Sequence, residues 1–192
     1  MYLYYIAILK NDEKPAQEFA SAVNLTPFGF FVRSSIQEFM VLFSRLVAEE
    51  IQVGQRKSFD QDNYALHAYS RSESIVGVVI TDKEYPVRVA YSLLNKILDE
   101  FLMKYPPSSW SKKDKRLPFG VLDEYIIKYQ DPQKADNIIK VQQELDDIKN
   151  VLSQTIDSVL QRGEKLDDLI QRSDILSAQS RLFYKQILIK IN

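Results

Sequence analysis

Residues 159–169 read Val-Leu-Gln-Arg-Gly-Glu-Lys-Leu-Asp-Asp-Leu and stand at the centre of the most regular segment of this chain. Counting outward from Arg162 in alternating steps of three and four residues gives sixteen positions, of which eleven are apolar. A mean spacing of about 3.5 residues is typical of a helix that packs in a coiled coil. We call this set the heptad stripe; it consists of Ile138, Val141, Leu145, Ile148, Leu152, Thr155, Val159, Arg162, Leu166, Leu169, Ser173, Leu176, Ser180, Phe183, Ile187 and Lys190.

The heptad stripe is too long for the core of a small protein. Asp131 and Pro132 precede it as a predicted N-cap and first helical residue, and at about 1.5 Å per residue the helix would span roughly 80 Å. It must pack on partners outside the chain or fold back on the chain itself. Arg162 occupies an apolar position, where its five N–H donors suit several side-chain carbonyls on neighbouring helices. The spacing alone leaves a solvated heptad defect equally open.

Composition limits the classes of protein to consider. A chain of 192 residues with 45% hydrophobic residues fits one domain of about 130 residues and a helical tail. The formal net charge of −1 predicts no nucleic-acid partner. With no cysteine there is no disulfide, thiolate metal site or cysteine nucleophile. No apolar run approaches the roughly 20 residues that span a bilayer, so we expect a soluble protein.

The first two thirds of the chain predict an α/β domain. Alternating and continuous apolar runs predict strands at 2–9, 16–23, 55–60, 64–70 and 75–80. Apolar residues at helical spacing predict helices at 35–50, 86–105 and 117–129. We expect the aromatic loop at 26–31 to fill the edge of the core.

The first predicted helix carries two apolar faces. Ser35 and Glu38 have the spacing of a capping box. One face, directed at the sheet, is made of Ile36, Phe39, Met40, Phe43 and Val47. The other is either ordinary core or a groove for a second helix or peptide, and its residues are Phe39, Leu42 and Leu46, with Phe43 beside them.

The sequence predicts no catalytic site, no metal site and no cofactor. His67 is the only histidine and falls in a predicted strand, so we expect a structural role for it. A metal pair would need a second histidine, and there is no glycine-rich phosphate loop. The carboxylate pairs 146–147 and 167–168 point about 100° apart on a helix and are interpreted as solvated.

Residues 159–169 resemble the centre of an R-SNARE motif, the synaptobrevin-type helix of membrane fusion. The resemblance covers 131–186 and is most specific at 130–132, 141–146, 159–169 and 183–186. It continues at 28–31, 33–35, 78–88 and 93–100, where the chain is similar to the lipid-anchored longin-type R-SNAREs. The resemblance implies a longin domain at 1–130, an α/β fold with a five-stranded antiparallel-rich sheet and helices on both faces, followed by a coiled-coil SNARE motif at 131–192.

The resemblance also implies a function. Arg162 would meet three Gln side chains from Qa, Qb and Qc helices at the centre of a four-helix bundle that drives vesicle membrane fusion. The heptad stripe from Ile138 to Ile187 would supply the packing layers. The longin domain would autoinhibit by binding the SNARE helix in the groove formed by Phe39, Leu42, Phe43 and Leu46. The resemblance further implies a cytoplasmic location, with peripheral attachment to Golgi, endosomal and vacuolar membranes if a lipidated form exists.

The resemblance ends abruptly after Gln186. The family continues into a basic segment and a Cys-Cys-x-x-Met signal for two lipids, whereas this sequence continues Ile-Leu-Ile-Lys-Ile-Asn. The sequence as given therefore predicts no lipid attachment. Two alternatives stay open: a longin-fold trafficking adaptor or tether, which the Arg162 heptad disfavours, and a soluble SNARE decoy, which the missing cysteines favour.

Overall fold

One mixed sheet forms the centre of the molecule. The computed structural model describes residues 1–111, 116–139 and 151–191. Within them the strands are β1 (Leu3–Lys10), β2 (Gln17–Val23), β3 (Arg56–Gln61), β4 (Tyr64–Ser70), β5 (Ile75–Asp82) and β6 (Ser153–Thr155). Their order across the sheet is β2-β1-β5-β4-β3-β6.

The first five strands pair antiparallel, in agreement with the predicted sheet. Seven of the eight residues of β1 are buried, as expected for a central strand covered on both faces. The sixth strand was not predicted: β6 comes from the tail and pairs parallel to β3, with Ser58 opposite Ser153 and Asp60 opposite Thr155. The tail therefore extends the sheet of the domain.

Helices cover both faces of the sheet. They are α1 (Arg33–Glu50), α2 (Val87–Lys104) and α3 (Val121–Lys128). One core joins α2 and α3 to the sheet around Ile6, Leu94 and Phe101. A second core lies under α1, around Val47 and Val78.

The tail of the free chain is not one continuous helix. Its elements are α4 (Pro132–Ile139), strand β6, a 3-10 turn (Ile156–Val159), α5 (Leu166–Arg172) and α6 (Ala178–Ile191). Asp131 caps α4 as predicted, since its Oδ1 accepts a hydrogen bond of 3.2 Å from the Lys134 backbone N–H. A long helix without packing partners gains little stability. In the free chain the tail therefore folds back on the domain, which is the second of the two alternatives given above.

Two local predictions were wrong. In the aromatic loop, Phe28 packs against the core as predicted, but Phe30 and Phe31 do not and are 76% and 87% exposed. The capping box does not form, because α1 begins at Arg33 and Ser35 already lies inside it, without a side-chain cap. The Glu38 carboxylate is free to bond elsewhere, as described below.

His67 has the structural role that the sequence predicted. Its ring is 2% exposed, with Nδ1 2.7 Å from the Ser58 Oγ, which in turn lies 2.9 Å from the Tyr91 hydroxyl oxygen. Its Nε2 has no hydrogen-bond partner within the described residues. Because burial disfavours the charged imidazolium, it lowers the pKa of His67 from 6.5 to about 4, against a smaller opposing effect of Asp60.

The lowered pKa of His67 predicts acid destabilisation. Between the two pKa values the unfolded chain binds a proton that the folded chain does not, so the free energy of unfolding falls as the pH falls through this window, by up to about 3 kcal/mol. His67→Gln should keep a partner for Ser58 and remove this part of the pH dependence. Urea unfolding of both proteins at about pH 7 and about pH 4.5 measures it; equal losses of stability in the two proteins would contradict the assignment.

Candidate functional site: the docked tail

The tail binds the α1 face of the domain through an apolar cluster. Leu42 of α1 is 4% exposed and packs with Leu169, Ile170 and Leu176 of the tail. Phe39 and Leu46 of α1, half-buried, border this cluster. The second apolar face of α1 is therefore a groove occupied by the chain's own tail, which we call the docked state.

The middle of the tail, residues 153–159, is held by the sheet. After β6 has paired with β3, the 3-10 turn buries Ile156 and Val159 in the core that includes Phe59 and Leu66. Backbone hydrogen bonds hold this segment along β3, and burial of Ile156 and Val159 anchors it in the core. Docking thus completes both a sheet edge and a core.

Glu38 of α1 holds the beginning of α6. Its Oε2 accepts hydrogen bonds from the Ser177 backbone N–H at 2.9 Å, the Ser177 hydroxyl at 3.0 Å and the Ser180 hydroxyl. Burial raises the pKa of the Glu38 carboxyl group, but the hydrogen bonds from Ser180 and Ser177 outweigh burial and leave the pKa lowered. Ser177 itself caps α6, since its Oγ accepts a hydrogen bond of 3.2 Å from the Ser180 backbone N–H. The Glu38 carboxylate therefore binds the capping residue of α6 from another element.

Aromatic and ionic contacts continue the α1–α6 interface. The rings of Phe39 and Tyr184 lie 5.9 Å apart between centroids, and the Tyr184 hydroxyl donates to Asp167 Oδ1 at 2.9 Å. Asp174, in the segment between α5 and α6, forms an ion pair of 3.6 Å with Arg45 of α1. Since Asp174 is largely exposed, this pair contributes little to docking.

Arg162 is exposed in the docked state and lies in a turn. The turn is closed by a 2.9 Å hydrogen bond from the Glu164 backbone N–H to the Gln161 carbonyl oxygen. Gly163 has a φ of +86°, which side-chain-bearing residues rarely adopt. Gly163 thus permits a non-helical turn at the centre of the heptad stripe.

Gly163→Ala should shift the chain from the docked state toward a helical tail. An alanine is strained at this φ and favours helix over glycine by about 1 kcal/mol, so the two effects add. We expect faster hydrogen exchange in α5 and faster assembly with partner helices, by about five- to thirty-fold. Gly120→Ala is the control, because Gly120 has φ −60° and open space around its Cα; a Gly163→Ala variant that behaves like this control would contradict the prediction.

Packing of the tail leaves an apolar pocket, open to solvent, between α1, the sheet and α6. Its volume is about 440 Å³, and its wall includes Phe39, Phe43, Phe59, Tyr64 and Phe183. Aromatic side chains of the domain and of the docked tail therefore line one shared pocket.

The docked state divides the heptad stripe. Its buried members are Val159, Leu169, Ser173, Leu176 and Ser180. Leu166 and Phe183 are half-buried, and Leu152, Thr155 and Arg162 are exposed. Ile138 and Ile187 lie in helices whose side chains at these positions are not described, while Val141, Leu145 and Ile148 lie outside the described residues.

A second heptad column carries contacts that the sequence analysis missed. We call it the docking column: Ile156, Gly163, Ile170, Ser177 and Tyr184, each seven residues after the last. Ile156 and Ile170 are buried, the Ser177 N–H donates to Glu38, and the Tyr184 ring lies tilted against Phe39. The sequence signal for these contacts is a second column of seven-residue spacing next to the heptad stripe, with two isoleucines and a tyrosine.

The part of the chain that the structure describes holds no group of three side chains suited to binding a metal ion. Nor does any described helix have the length and apolarity to cross a membrane.

An α/β domain that binds a heptad tail with a central arginine defines a longin-type R-SNARE. Two family models match the chain: the longin model, a regulated-SNARE-like domain, over residues 25–130, and the synaptobrevin model over residues 137–187.

Full-length relatives agree. The chain is 58% identical over 185 residues to the synaptobrevin homolog ykt6 of Schizosaccharomyces pombe, covering 96% of this chain and 94% of the relative. It is 53% and 52% identical over 189 residues to the YKT6 homologs of Eremothecium gossypii and Saccharomyces cerevisiae, covering 97% of this chain and 94% of each relative. The chain belongs to the YKT6-like longin R-SNAREs, non-enzymatic proteins of vesicle membrane fusion. Its SNARE motif implies partners in a SNARE complex.

Proposed function

We propose that the tail, residues 131–192, leaves the longin domain, residues 1–130, and forms a parallel four-helix bundle with three Gln-type helices, one each of the Qa, Qb and Qc kinds. Arg162 forms the central polar layer, where its guanidinium donates to three Gln carbonyl oxygens. The heptad stripe from Ile138 to Ile187 supplies the other layers. The observation that carries this proposal is the heptad stripe centred on an arginine, within a segment that matches the synaptobrevin model.

Docking and bundle formation exclude each other in this proposal, so the longin domain acts as an autoinhibitor. Val159, Leu169 and Leu176 are buried against the domain in the free chain, and the same side chains belong to the heptad stripe. A side chain cannot pack in both places. A docking free energy of a few kcal/mol keeps the chain inactive alone and still lets three partner helices open it.

We further place the protein in the cytoplasm and peripherally on Golgi, endosomal and vacuolar membranes. The support is the similarity to YKT6 proteins over almost the whole chain. In this family attachment is by lipid, and two lipid groups provide the stable anchoring that one does not.

Arg162→Leu tests the central layer. Burying a guanidinium is costly, so the variant bundle should be as stable as the wild type or more so, but register and choice of partner should loosen. Full-length wild type and variant are mixed with matched and mismatched sets of Gln-type helices, and heat-resistant complexes are measured. Arg172→Leu, an exposed arginine outside the heptad stripe, is the control. If the wild type forms no heat-resistant complex with any set, the proposed function is wrong.

A further inference from the structure

A non-helical bend separates α5 from α6 in the docked tail. Helix α5 ends at Arg172, Ser173 is extended with φ −63° and ψ 133°, and α6 begins at Ala178. The bend, residues 173–177, lies inside the segment that matches the synaptobrevin model, where the heptad stripe predicts one continuous helix. Backbone groups that a continuous helix would pair must find other partners here.

Arg181 spans the bend from the first turn of α6. Its Nη2 donates to the Ser173 carbonyl oxygen at 2.6 Å and its Nε donates to the Ile170 carbonyl oxygen at 3.4 Å. We call these two hydrogen bonds the Arg181 bridge. The last carbonyl groups of a helix have no partner within it, and an arginine is well suited to bind them. Here the arginine belongs to the next helix, so the bridge ties α6 to the end of α5.

The bend places an apolar side chain in the groove of α1. Leu176 is 4% exposed and packs in the apolar cluster with Leu42. Just before it, the Ser173 Oγ accepts a hydrogen bond of 3.2 Å from the Ile175 backbone N–H. The Arg181 bridge and this serine contact lie wholly within the tail, yet they fix the conformation in which the tail meets the domain.

Arg181 also lies near Glu38 of α1. Its positive charge favours the ionised Glu38 carboxylate, although the hydrogen bonds from Ser180 and Ser177 favour it more strongly. Arg181 therefore has two routes of action, the bridge and its charge. The geometry favours the bridge, because Nε and Nη2 of one planar guanidinium bind two carbonyl oxygens together, whereas water screens the charge of a half-buried side chain.

A helix in the four-helix bundle does not use the Arg181 bridge. The heptad stripe steps by four residues to Ser180 and by three from Ser180 to Phe183, so Arg181 follows an a position and is itself at b. A b side chain points away from the partner helices. The carbonyl groups of Ile170 and Ser173 are then paired by the helix backbone. The bridge therefore belongs to the docked state alone.

We propose that Arg181 is a positioning residue for autoinhibition, which holds the bend through the Arg181 bridge so that α5 and α6 bind the groove of α1 as one unit. The inference rests on the proposed function and deepens it. It assigns control of tail release to a side chain of the tail that lies outside the groove, the heptad stripe and the docking column.

Arg181→Met tests the bridge on the full chain. Methionine keeps an unbranched apolar stem and removes both donors. Hydrogen exchange in the bend and in α6 should rise, and assembly with three Gln-type helices should become about five- to twenty-fold faster. The thermal midpoint of the bundle should not change. Lys185→Met is the matched control, because Lys185 is an exposed cation of the same helix. Unchanged exchange and assembly in Arg181→Met, or equal effects of the two substitutions, would overturn the proposal.

Arg181→Lys separates the bridge from the charge. Lysine keeps the charge near Glu38 but has a single nitrogen in place of the planar fork, so it should restore only part of the slow assembly. Full recovery of the wild-type rate would assign the effect to charge and overturn the proposal. Leu42→Glu, measured beside these variants, tests the proposed function separately. If Leu42→Glu speeds assembly and Arg181→Met does not, the Arg181 bridge is wrong and the proposed function stands.

Discussion

Leu42→Glu is expected to release the tail from the longin domain. The substitution places a carboxylate in the apolar cluster with Leu169, Ile170 and Leu176, where an unpaired charge costs at least about 3 kcal/mol. Because the cost exceeds a docking free energy of a few kcal/mol, the docked population should fall about a hundred-fold. Leu42 contacts the tail rather than the domain's two main cores, so the domain should stay folded.

Hydrogen exchange measures the release. Peptides from β6, α5 and α6 should exchange faster in Leu42→Glu than in the wild type, peptides from β1 and β5 should not change, and assembly with partner helices should speed up. Val53→Glu is the matched control because Val53 is 64% exposed. Equal exchange and equal assembly rates in wild type and Leu42→Glu would show that the groove does not restrain the tail.

Ile170→Asp should release the tail from the longin domain and leave the stability of the four-helix bundle nearly unchanged. Ile170 is fully buried in the docked state, so an aspartate there costs several kcal/mol. In a heptad helix, however, the docking column lies at the edge of the packing layers, where charged side chains are usual. The variant should therefore assemble faster, into a bundle of near wild-type stability.

Leu169→Asp is the paired control for this separation. Leu169 is buried in the docked state and belongs to the heptad stripe, so its replacement should release the tail and also weaken the bundle. Assembly rates and thermal midpoints of the bundles distinguish the two variants. If Ile170→Asp lowers the bundle's thermal midpoint as much as Leu169→Asp does, the docking column has no separate role.

The domain could be predicted from the sequence because its signals are local. Strands such as β5 are continuously apolar, and helix α2 has apolar residues at helical spacing with Pro86 before it and Pro106 after it. Helix α1 was placed correctly, although its first turn was not: Ser35 and Glu38 have capping-box spacing, but the Ser177 and Ser180 groups compete for the carboxylate. A contact between residues about 140 positions apart has no local signature.

The conformation of the tail could not be predicted from its pattern. The heptad stripe describes the packing of a bundle, whereas the free chain uses the docking column and a strand at Ser153–Thr155. One sequence encodes both packings: Leu169 and Leu176 of the heptad stripe are buried in the docked state as well, whereas Ile170 belongs to the docking column alone. Gly163 was the local hint, since glycine disfavours helix and permits the left-handed turn beside Arg162.

A distance between α1 and α6 tests the account most directly. Gln37 and Leu182 are both exposed, and the chain has no cysteine. The double variant Gln37→Cys with Leu182→Cys therefore provides two spin-label sites, and pulsed electron double resonance measures the distance between them. We predict one short, narrow distance distribution for the free chain and its loss, with much longer distances, once three Gln-type helices are added. A broad distribution in the free chain, or a short distance that persists in the bundle, would contradict a tail that exchanges the longin groove for its partners.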